Sequence, residues 1–342
     1  MKRKLMEFIQ CPQCKEDYVL NVEDQKGEEI VSGSIACPQC RASYPIVRGI
    51  LRFLKNVRTE QDLRKVYADS FGQQWTTYNW LRDEDEQEFF NITDLQKDDL
   101  KQKTILDAGC GGGRFARFIS RYCKEFIAFD YTVAVERAYE LCKDVPNAHF
   151  VQCDVNDFPF KQNFVDFVFS HGVLHHTENT KKSFLNLPPL VKPGGLLYVA
   201  LFRQSFILLR LSDGFWRFVF NKLPYKSLDK VCGALSYLYY IPFPVFFKRF
   251  FWFSLQKTKE IRKCCLFDWY GPTYHHEHTV PEVRSWFEHA GFEEIKYINA
   301  WPYCPQKEKY AVPGFLNSFR LGQLLGVIGK KKITGDTGSD RG

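Results

Sequence analysis

The sequence predicts an α/β protein whose main domain is a parallel sheet with helices on both faces. Residues 104–202 alternate short apolar runs with helix-like runs, which is typical of parallel strands joined by helices. A glycine-rich segment follows the first apolar run directly, as expected where a strand turns into a helix. Two Cys-Pro-Gln-Cys pairs precede this domain and indicate a separate metal-binding module. The predicted fold is therefore α/β with an N-terminal ribbon and a helical cap insertion.

The chain divides into six segments by composition and periodicity. They are a metal-binding ribbon (1–54), a linker and helical arm (55–103), the α/β core (104–202), a helical and aromatic cap insertion (203–279), the C-terminal part of the α/β domain (280–329) and a disordered tail (330–342). The strands predicted in the core are 104–108, 125–130, 148–153, 164–170 and 195–202, with helices at 114–123 and 132–142. A helix at 280–290 and a strand at 294–299 continue this alternation.

Length and composition limit the class of protein. The chain has 342 residues, 45% of them hydrophobic and 25% charged, which suits a globular domain with a smaller module. Its net charge of +7 is too small to indicate nucleic-acid binding by itself. No run of about 18 apolar residues occurs and no apolar segment follows the basic start, so we expect neither a spanning helix nor a signal peptide. Most of the 12 cysteines are scattered, which favours the reducing cytoplasm.

The first segment has the cysteine spacing of a zinc ribbon. Two C-x2-C pairs are separated by a polar, hairpin-like stretch, and their members are Cys11, Cys14, Cys37 and Cys40. Thiolates two residues apart on a tight turn reach one tetrahedral ion, and four thiolates leave no open position. The sequence therefore predicts a structural zinc site. Lysine, arginine, aspartate and glutamate are interleaved here, so we expect a role in domain packing rather than in nucleic-acid binding.

The loop at 105–113 carries the main functional signal. Its sequence, Ile-Leu-Asp-Ala-Gly-Cys-Gly-Gly-Gly, joins an apolar strand to a helix. Glycine allows a tight turn and a close approach of a cofactor to the backbone, and the helix start offers N–H groups to a carboxylate or a phosphate. A dinucleotide fingerprint would place its third glycine where Arg114 stands. The loop therefore disfavours a dinucleotide.

With Asp107 at the strand end, the segment closely resembles class I S-adenosylmethionine-dependent methyltransferases, which have a Rossmann-like sheet. The resemblance covers residues 104–202 and, more loosely, 203–299. It implies binding of the methionine end of the donor by Asp107, Gly109, Cys110, Gly111 and Gly113, of the ribose by Asp130, and of the adenine by Asp154 and Val155. The Val-Lys-Pro-Gly-Gly turn at 191–195 resembles the one before the family's fifth strand.

The aromatic residues of the arm allow two interpretations. The pattern Tyr67-x-x-x-Phe71-Gly-x-x-Trp75 resembles a segment that closes over the cofactor in related enzymes. An aromatic ring such as that of Trp75 attracts a cation to its face, which suits a sulfonium. The alternative is an amphipathic helix that packs its aromatic residues on the core.

Two histidine-rich segments supply the candidate base. Residues 169–177 follow the fourth strand, where the resemblance makes His176 the usual family histidine, either as a base or as a packing residue. Residues 268–279 combine His275, His276 and His278 with tyrosines and acids. We expect acceptor binding there, with His276 as base and Tyr270 beside it. A metal site lacks familiar ligand spacing, and a hydrogen-bonded loop before a helix is the remaining alternative.

The ribbon suggests a rival acceptor. Residues 42–51 resemble the small zinc-ribbon family that partners methyltransferases acting on tRNA and translation factors. The leading hypothesis is nevertheless methyl transfer to an O or N atom of a small-molecule acceptor or of a lipid- or glycan-linked one. The alternatives are a tRNA-modifying methyltransferase and a non-enzymatic adaptor. DNA is not an expected partner, because the Asn/Asp-Pro-Pro-aromatic signature is absent after the fourth strand.

The cap insertion is basic and aromatic. Residues 203–265 contain twelve Lys or Arg against three Asp or Glu, a local charge of +9. Within it, residues 235–253 are rich in Tyr and Phe and predict a lid over the catalytic domain, a peripheral membrane contact or an RNA-contacting surface.

Overall fold

The computed structural model describes residues 1–55, 81–205, 207–240, 258–299 and 324–333. Its strands are β1 (Val19–Lys26), β2 (Glu29–Ala36), β3 (Ser43–Val47), β4 (Ile50–Phe53), β5 (Thr104–Ala108), β6 (Glu125–Asp130), β7 (Ala148–Cys153), β8 (Val165–His171), β9 (Val191–Arg203), β10 (Glu277–His278), β11 (Phe292–Asn299) and β12 (Leu324–Lys331). The α-helices are α1 (Asp85–Thr93), α2 (Lys97–Leu100), α3 (Ala116–Tyr122), α4 (Ala134–Leu141), α5 (Thr180–Leu185), α6 (Ile207–Phe220), α7 (Tyr225–Leu235), α8 (Lys259–Tyr270) and α9 (Val280–His289). Short 3-10 turns lie at Arg3–Glu7, Leu174–His176, Pro188–Leu190 and Ser236–Tyr240.

These strands form one continuous sheet. Its order is β1-β2-β3-β4-β7-β6-β5-β8-β9-β12-β11, with β10 paired to β9. The strands from β4 through β7, β6, β5 and β8 to β9 are parallel, whereas β12 runs antiparallel to both of its neighbours. Every residue of β5 and β7 is buried, as expected for parallel strands covered on both faces. The direction of winding reverses between β5 and β8, so a ligand crevice is expected at their carboxyl ends.

The ribbon is part of this sheet. Its last strand, β4, pairs in parallel with β7, with Leu51 opposite Val151 and Phe53 opposite Cys153. Arg52 lies between them and is fully buried; it donates to Gln152 Oε1 at 2.9 Å and forms an ion pair with Glu136 at 2.6 Å. The ribbon and the α/β domain therefore share backbone hydrogen bonds and a partly buried charge pair.

Three hydrophobic clusters lie within the described ranges of the chain. One contains ribbon residues such as Leu5 and Ile35 together with core residues such as Val151 and Phe287. A second is built largely on the strands and helices of the α/β domain. The third holds the cap, where α6, α7 and α8 pack around Trp269. Among the described residues, no helix is long and apolar enough to cross a membrane.

The strands and helices predicted in the α/β domain agree with the structure to within a few residues, but β10 and β12 lie where no strand was predicted, and the turn predicted at 191–195 forms the start of β9. In the sheet, strand β12 lies between β9 and β11. No strand was predicted for its residues, and a disordered tail was predicted to begin at residue 330, inside this strand. Glycines at 326 and 329 weaken its strand signal. A Cβ at Gly329 would lie 2.8 Å from the Phe287 ring, so the absence of a side chain there allows α9 to pack closely. The predicted arm residue Trp75 and most of the 235–253 surface lie outside the described residues.

Candidate functional site

The glycine loop lies between β5 and α3. The backbone N–H groups of Gly109 and Cys110 both donate to the carbonyl oxygen of Phe129, at 2.8 and 2.9 Å, which ties the loop to β6. Gly109 has φ +89°, and a Cβ there would lie 2.4 Å from the Val173 side chain. Glycine is therefore required both for the turn and for contact with the segment that follows β8.

Two acids stand at the carboxyl ends of β5 and β6. Asp107 is 2% exposed, and burial followed by the nearby charge of Asp130 raises its pKa to about 8. Asp130 accepts hydrogen bonds from the N–H of Gly111 at 2.8 Å and from the hydroxyl of Thr132 at 2.6 Å. Burial raises the pKa of Asp130 as well, although these donors oppose the shift. Two acids in one desolvated place suit a ligand that brings positive charge.

The third predicted acid follows β7. Asp154 accepts from the N–H of Asn156 at 2.7 Å, and Val155 beside it is buried. Because β5, β6 and β7 are adjacent and parallel, the loop, Asp130 and Asp154 lie along one edge of the sheet. The structure thus brings together the residues predicted for the methionine, ribose and adenine ends of the donor.

An ionic cluster that the sequence analysis did not predict supports the helix after this loop. Asp85, which is fully buried, accepts from Arg82, Arg114 and Arg117, and Arg114 also pairs with Glu88. The cluster joins α1 to the segment that follows the glycines. The sequence gives no local signal of this cluster, because its charged residues are spread over two distant segments.

The two histidine segments meet at the carboxyl ends of β8 and β9. The N–H of His276 donates to the carbonyl oxygen of His175 at 3.0 Å, and β10 pairs in parallel with the end of β9. The rings of His175 and His176 lie 4.3 Å apart, and those of His176 and His275 lie 6.2 Å apart. The predicted pair His176 and His276 is therefore brought into one place.

Backbone groups fix the tautomers of two of these rings. The N–H of Phe202 donates to Nδ1 of His175 at 3.1 Å, so the neutral ring of His175 carries its proton on Nε2. Nδ1 of His176 lies 3.1 Å from the carbonyl oxygen of Tyr274, which can only accept. His176 therefore holds its proton on Nδ1 and has a lone pair on Nε2. Burial lowers the pKa of His176 to about 4, so the ring is neutral at physiological pH.

His278 has the same tautomer as His176 but a stronger partner. Its Nδ1 donates to the carboxylate of Glu282 at 3.0 Å, and the same carboxylate accepts from the N–H of Thr279 in the capping box of α9. Burial lowers the pKa of His278. The Nε2 atoms of His175 and His278 are buried and have no hydrogen-bond partner within the described ranges. The first is a donor and the second an acceptor.

Tyr270, predicted beside the base, lies at the end of α8. It is fully buried, and its ring packs edge-on against Phe220 at 5.0 Å within the hydrophobic core of the cap. His171, which ends β8, stacks on Phe169 and Tyr198.

The four ribbon cysteines converge. Their sulfur atoms lie within 4.8 Å of one another, and the residues are Cys11, Cys14, Cys37 and Cys40. The two turns have matching geometry. The N–H of Lys15 donates to the carbonyl oxygen of Cys11, and the N–H of Arg41 donates to the carbonyl oxygen of Cys37. Lys15 and Arg41 have φ of +64° and +63°. Two equivalent knuckles that face each other suit tetrahedral thiolate ligation.

Both the α/β domain and the ribbon match known protein families. Residues 106–199 match the family described as a methyltransferase domain. Residues 2–49 match the family described as Trm112p-like protein.

Curated relatives match only parts of the chain. A biotin biosynthesis bifunctional protein of Cellvibrio japonicus is 25% identical over 171 residues, covering 50% of this chain and 34% of its own length. An uncharacterized methyltransferase of Mycobacterium bovis is 30% identical over 118 residues, covering 34% and 57%. A tRNA U34 carboxymethyltransferase of Cellvibrio japonicus is 30% identical over 103 residues, covering 29% and 32%. The chain therefore spans less than two thirds of these relatives.

Solved structures similar to the chain are distant. An S-adenosylmethionine-dependent methyltransferase from Mesorhizobium loti is 15% identical, covers 71% of this chain and 97% of its own, and has a TM-score of 0.44. A complex of the Haloferax volcanii Trm112 methyltransferase activator with a methyltransferase is 16% identical, covers 81% and 99%, and has a TM-score of 0.43. The predicted α/β fold with an N-terminal cysteine ribbon is confirmed by the family matches and the sheet. Residues 2–49 are a Trm112p-like domain and residues 106–199 a methyltransferase domain, carried in one chain.

Proposed function

We propose that this protein is an enzyme that uses S-adenosylmethionine as its methyl donor. The pair of buried acids, Asp107 and Asp130, carries this proposal. A cation near a desolvated carboxyl stabilises its anion, and the donor has both an ammonium and a sulfonium group. A carboxylate such as that of Asp130 also accepts two O–H bonds from a ribose diol. The donor supplies the methyl group, and the residues of the chain hold it and place the acceptor.

Donor binding should depend on pH through Asp107. With its pKa raised to about 8, this acid is neutral below that pH, and binding of a cation favours its ionised form. Binding should therefore release a proton, and affinity should rise by up to about tenfold per pH unit between about pH 6 and 8. Calorimetric titration in buffers of different ionisation enthalpy measures the proton release. Asp107→Asn should abolish both the release and the pH dependence; unchanged release in this variant would contradict the assignment.

The histidine segments provide the groups that methyl transfer needs from the protein. The reaction is an in-line displacement, so the enzyme has to align the acceptor and take up its proton. We assign proton uptake to Nε2 of His278, which Glu282 orients through Nδ1. The Nε2–H of His175 is a donor in the same histidine cluster. His176 and His276 remain candidate bases beside it.

We propose zinc for the four ribbon cysteines. Their sulfur atoms fit one tetrahedral ion, and four thiolates leave no position for a substrate. The metal would therefore stabilise the ribbon and take no part in the reaction.

We propose tRNA as the acceptor. Relatives named tRNA U34 carboxymethyltransferases from two further organisms match the chain at 31% and 32% identity. The ribbon resembles a family that partners methyltransferases acting on tRNA, and residues 203–265 carry a charge of +9. Positive charge supplies most of the affinity for a phosphate backbone. The proposed function therefore differs from the leading hypothesis drawn from the sequence.

A small-molecule acceptor, or a lipid- or glycan-linked one, is the second candidate. The histidine segments support it, because His275 lies against Trp269 and Phe202 with ring centroids 4.4 and 4.5 Å away. Apolar walls with a few convergent polar atoms are typical of small-molecule sites.

One labelling experiment distinguishes the candidates. The protein and methyl-tritiated S-adenosylmethionine are incubated in separate reactions with total tRNA, with lipid extract or with small-molecule extract. Each extract comes from cells that lack the gene for the protein. Label in tRNA, with binding that weakens as salt rises, supports the proposal. Label only in lipid or small molecules overturns the tRNA acceptor. No label in any fraction, with donor binding intact, supports a non-enzymatic adaptor.

With the labelled fraction identified, His278→Gln should lower kcat by about 100-fold and leave donor affinity unchanged. The amide cannot take up the proton that Nε2 accepts. Glu282→Gln should shift the pH profile of kcat with a smaller loss, because it alters the orientation and basicity of the ring. His289→Gln, at an exposed histidine later in α9, is the matched control and should leave kcat unchanged. His276→Gln tests the alternative base, and a larger loss there would assign the base to His276 instead.

A further inference from the structure

Helix α6 has an apolar stripe on its outward face. Ile207, Leu211, Phe215 and Phe218 are 54%, 64%, 60% and 62% exposed. Their spacing of four, four and three residues places them along one side of the helix. A stripe of large side chains this exposed is unusual for a helix that only covers a core.

The opposite face fixes the orientation of the helix. Asp213 is buried and accepts from Nε1 of Trp269 at 2.7 Å. Arg217, also buried, donates to the carbonyl oxygens of Trp269 and Pro272. Rotating the helix so that the stripe faces inward would break the buried hydrogen bonds of Asp213 and Arg217 and expose these two side chains. The outward position of the stripe is therefore built into the cap.

Cations accompany the stripe. Lys222 extends over the Phe218 ring, with Nζ 3.6 Å from the centroid. Lys226 and Lys230 are exposed on α7, and Arg210 on α6 is paired with Glu277. The two acids in residues 207–240 do not balance this charge at the surface. Asp213 is buried, and Asp229 is paired with Lys263 at 2.7 Å. The face therefore combines apolar side chains with unbalanced positive charge.

We propose that this face of α6 docks on an anionic lipid surface. An apolar stripe bordered by lysines is the composition of helices that lie in the headgroup region. Charge argues against a second copy of the chain, since its lysines would face each other. RNA fits less well, because aliphatic side chains such as those of Ile207 and Leu211 gain nothing from stacking on bases. The proposal does not depend on the identity of the methyl acceptor.

Cosedimentation of the full chain with vesicles tests the proposal. The protein should bind vesicles of equal parts phosphatidylcholine and phosphatidylglycerol, and should bind pure phosphatidylcholine weakly. Leu211→Glu combined with Phe218→Glu should lower the partition coefficient at least about tenfold. The matched control is Val19→Glu with Ile333→Glu, which changes charge equally at sites 59% and 66% exposed, and should bind as the wild type does. Lys226→Gln with Lys230→Gln should reduce the preference for anionic vesicles about tenfold.

Circular dichroism and donor affinity check that each variant folds. Equal binding by the α6 variant and the wild type overturns the proposal, as does equal loss in the control. Two further outcomes also overturn it. If the α6 variant loses tRNA retention while the wild type ignores vesicles, the face binds RNA. If it converts a concentration-dependent dimer to a monomer in sedimentation, the face binds a second copy.

Discussion

Replacing Cys37 and Cys40 by serine should unfold the ribbon and lower the unfolding midpoint of the whole chain by about 10 °C or more. The two remaining thiolates cannot complete a tetrahedral shell. Buried ribbon side chains, among them Leu5, Ile35 and Leu51, share one hydrophobic cluster with the α/β domain. Loss of the ribbon would therefore remove apolar burial from that cluster as well, at about 1.5–3 kcal/mol for each aliphatic side chain exposed.

Scanning calorimetry with metal analysis checks this expectation. The control is Cys123→Ser, a partly buried cysteine outside the cluster whose sulfur makes only a weak 3.9 Å contact with the carbonyl oxygen of Ser120. Its midpoint should stay close to that of the wild type. Should the ribbon variant lose zinc and still unfold at the wild-type midpoint, the metal would have no part in stabilising the sheet.

The same ribbon variant should also bind the donor more weakly. Arg52 of β4 donates to Gln152, whose side-chain amide donates to the carbonyl oxygen of Tyr131 at 3.0 Å. Tyr131 directly follows Asp130, the proposed ribose ligand. Polar contacts therefore run from the ribbon to the residue next to the proposed donor site.

Asp130→Ala should weaken donor binding by about 100-fold or more. Two hydrogen bonds from a ribose to a carboxylate would be lost, each worth about 1.5–3 kcal/mol. The variant also removes the hydrogen bond that the N–H of Gly111 donates to the Asp130 carboxylate at 2.8 Å, so the glycine loop is held less firmly.

The control for Asp130→Ala is Asp144→Ala. Asp144 carries the same charge but is exposed, and it is paired with Arg121 on the surface. Donor affinity, measured by calorimetric titration, should be unchanged in this control. Equal affinity in both variants would mean that the acid after β6 does not hold the ribose.

Features that depend on neighbouring residues were predictable from the sequence. The bounds of β5, β6 and β7 agree with the predicted strands, because each is a short apolar run ended by a glycine or an acid. The four cysteines were predicted from spacing alone. The helix predicted at 280–290 is α9, which begins at Val280 behind the capping box of Thr279.

Features that depend on distant contacts were not predictable. Nothing in residues 50–53 indicates that they pair with β7, about one hundred positions later. His276 was the base predicted from the sequence, whereas the carboxylate that orients a ring belongs to Glu282 and reaches His278. The available signal was a histidine four residues before the helical Glu282.

The position of the ribbon decides which strands end the sheet. Without β4, strand β7 would present a long, apolar edge to any other strand, a form of surface that promotes aggregation. With the ribbon in place, the outer strands among those that the structure describes are β1 and β11. Both have irregular registers, near Asp24 and between Glu293 and Lys296, and both carry exposed charges. Bulged, charged edge strands do not pair readily with strands of other molecules. Because the ribbon is part of the same chain, it covers the edge of β7 at any protein concentration and so limits aggregation, including during synthesis.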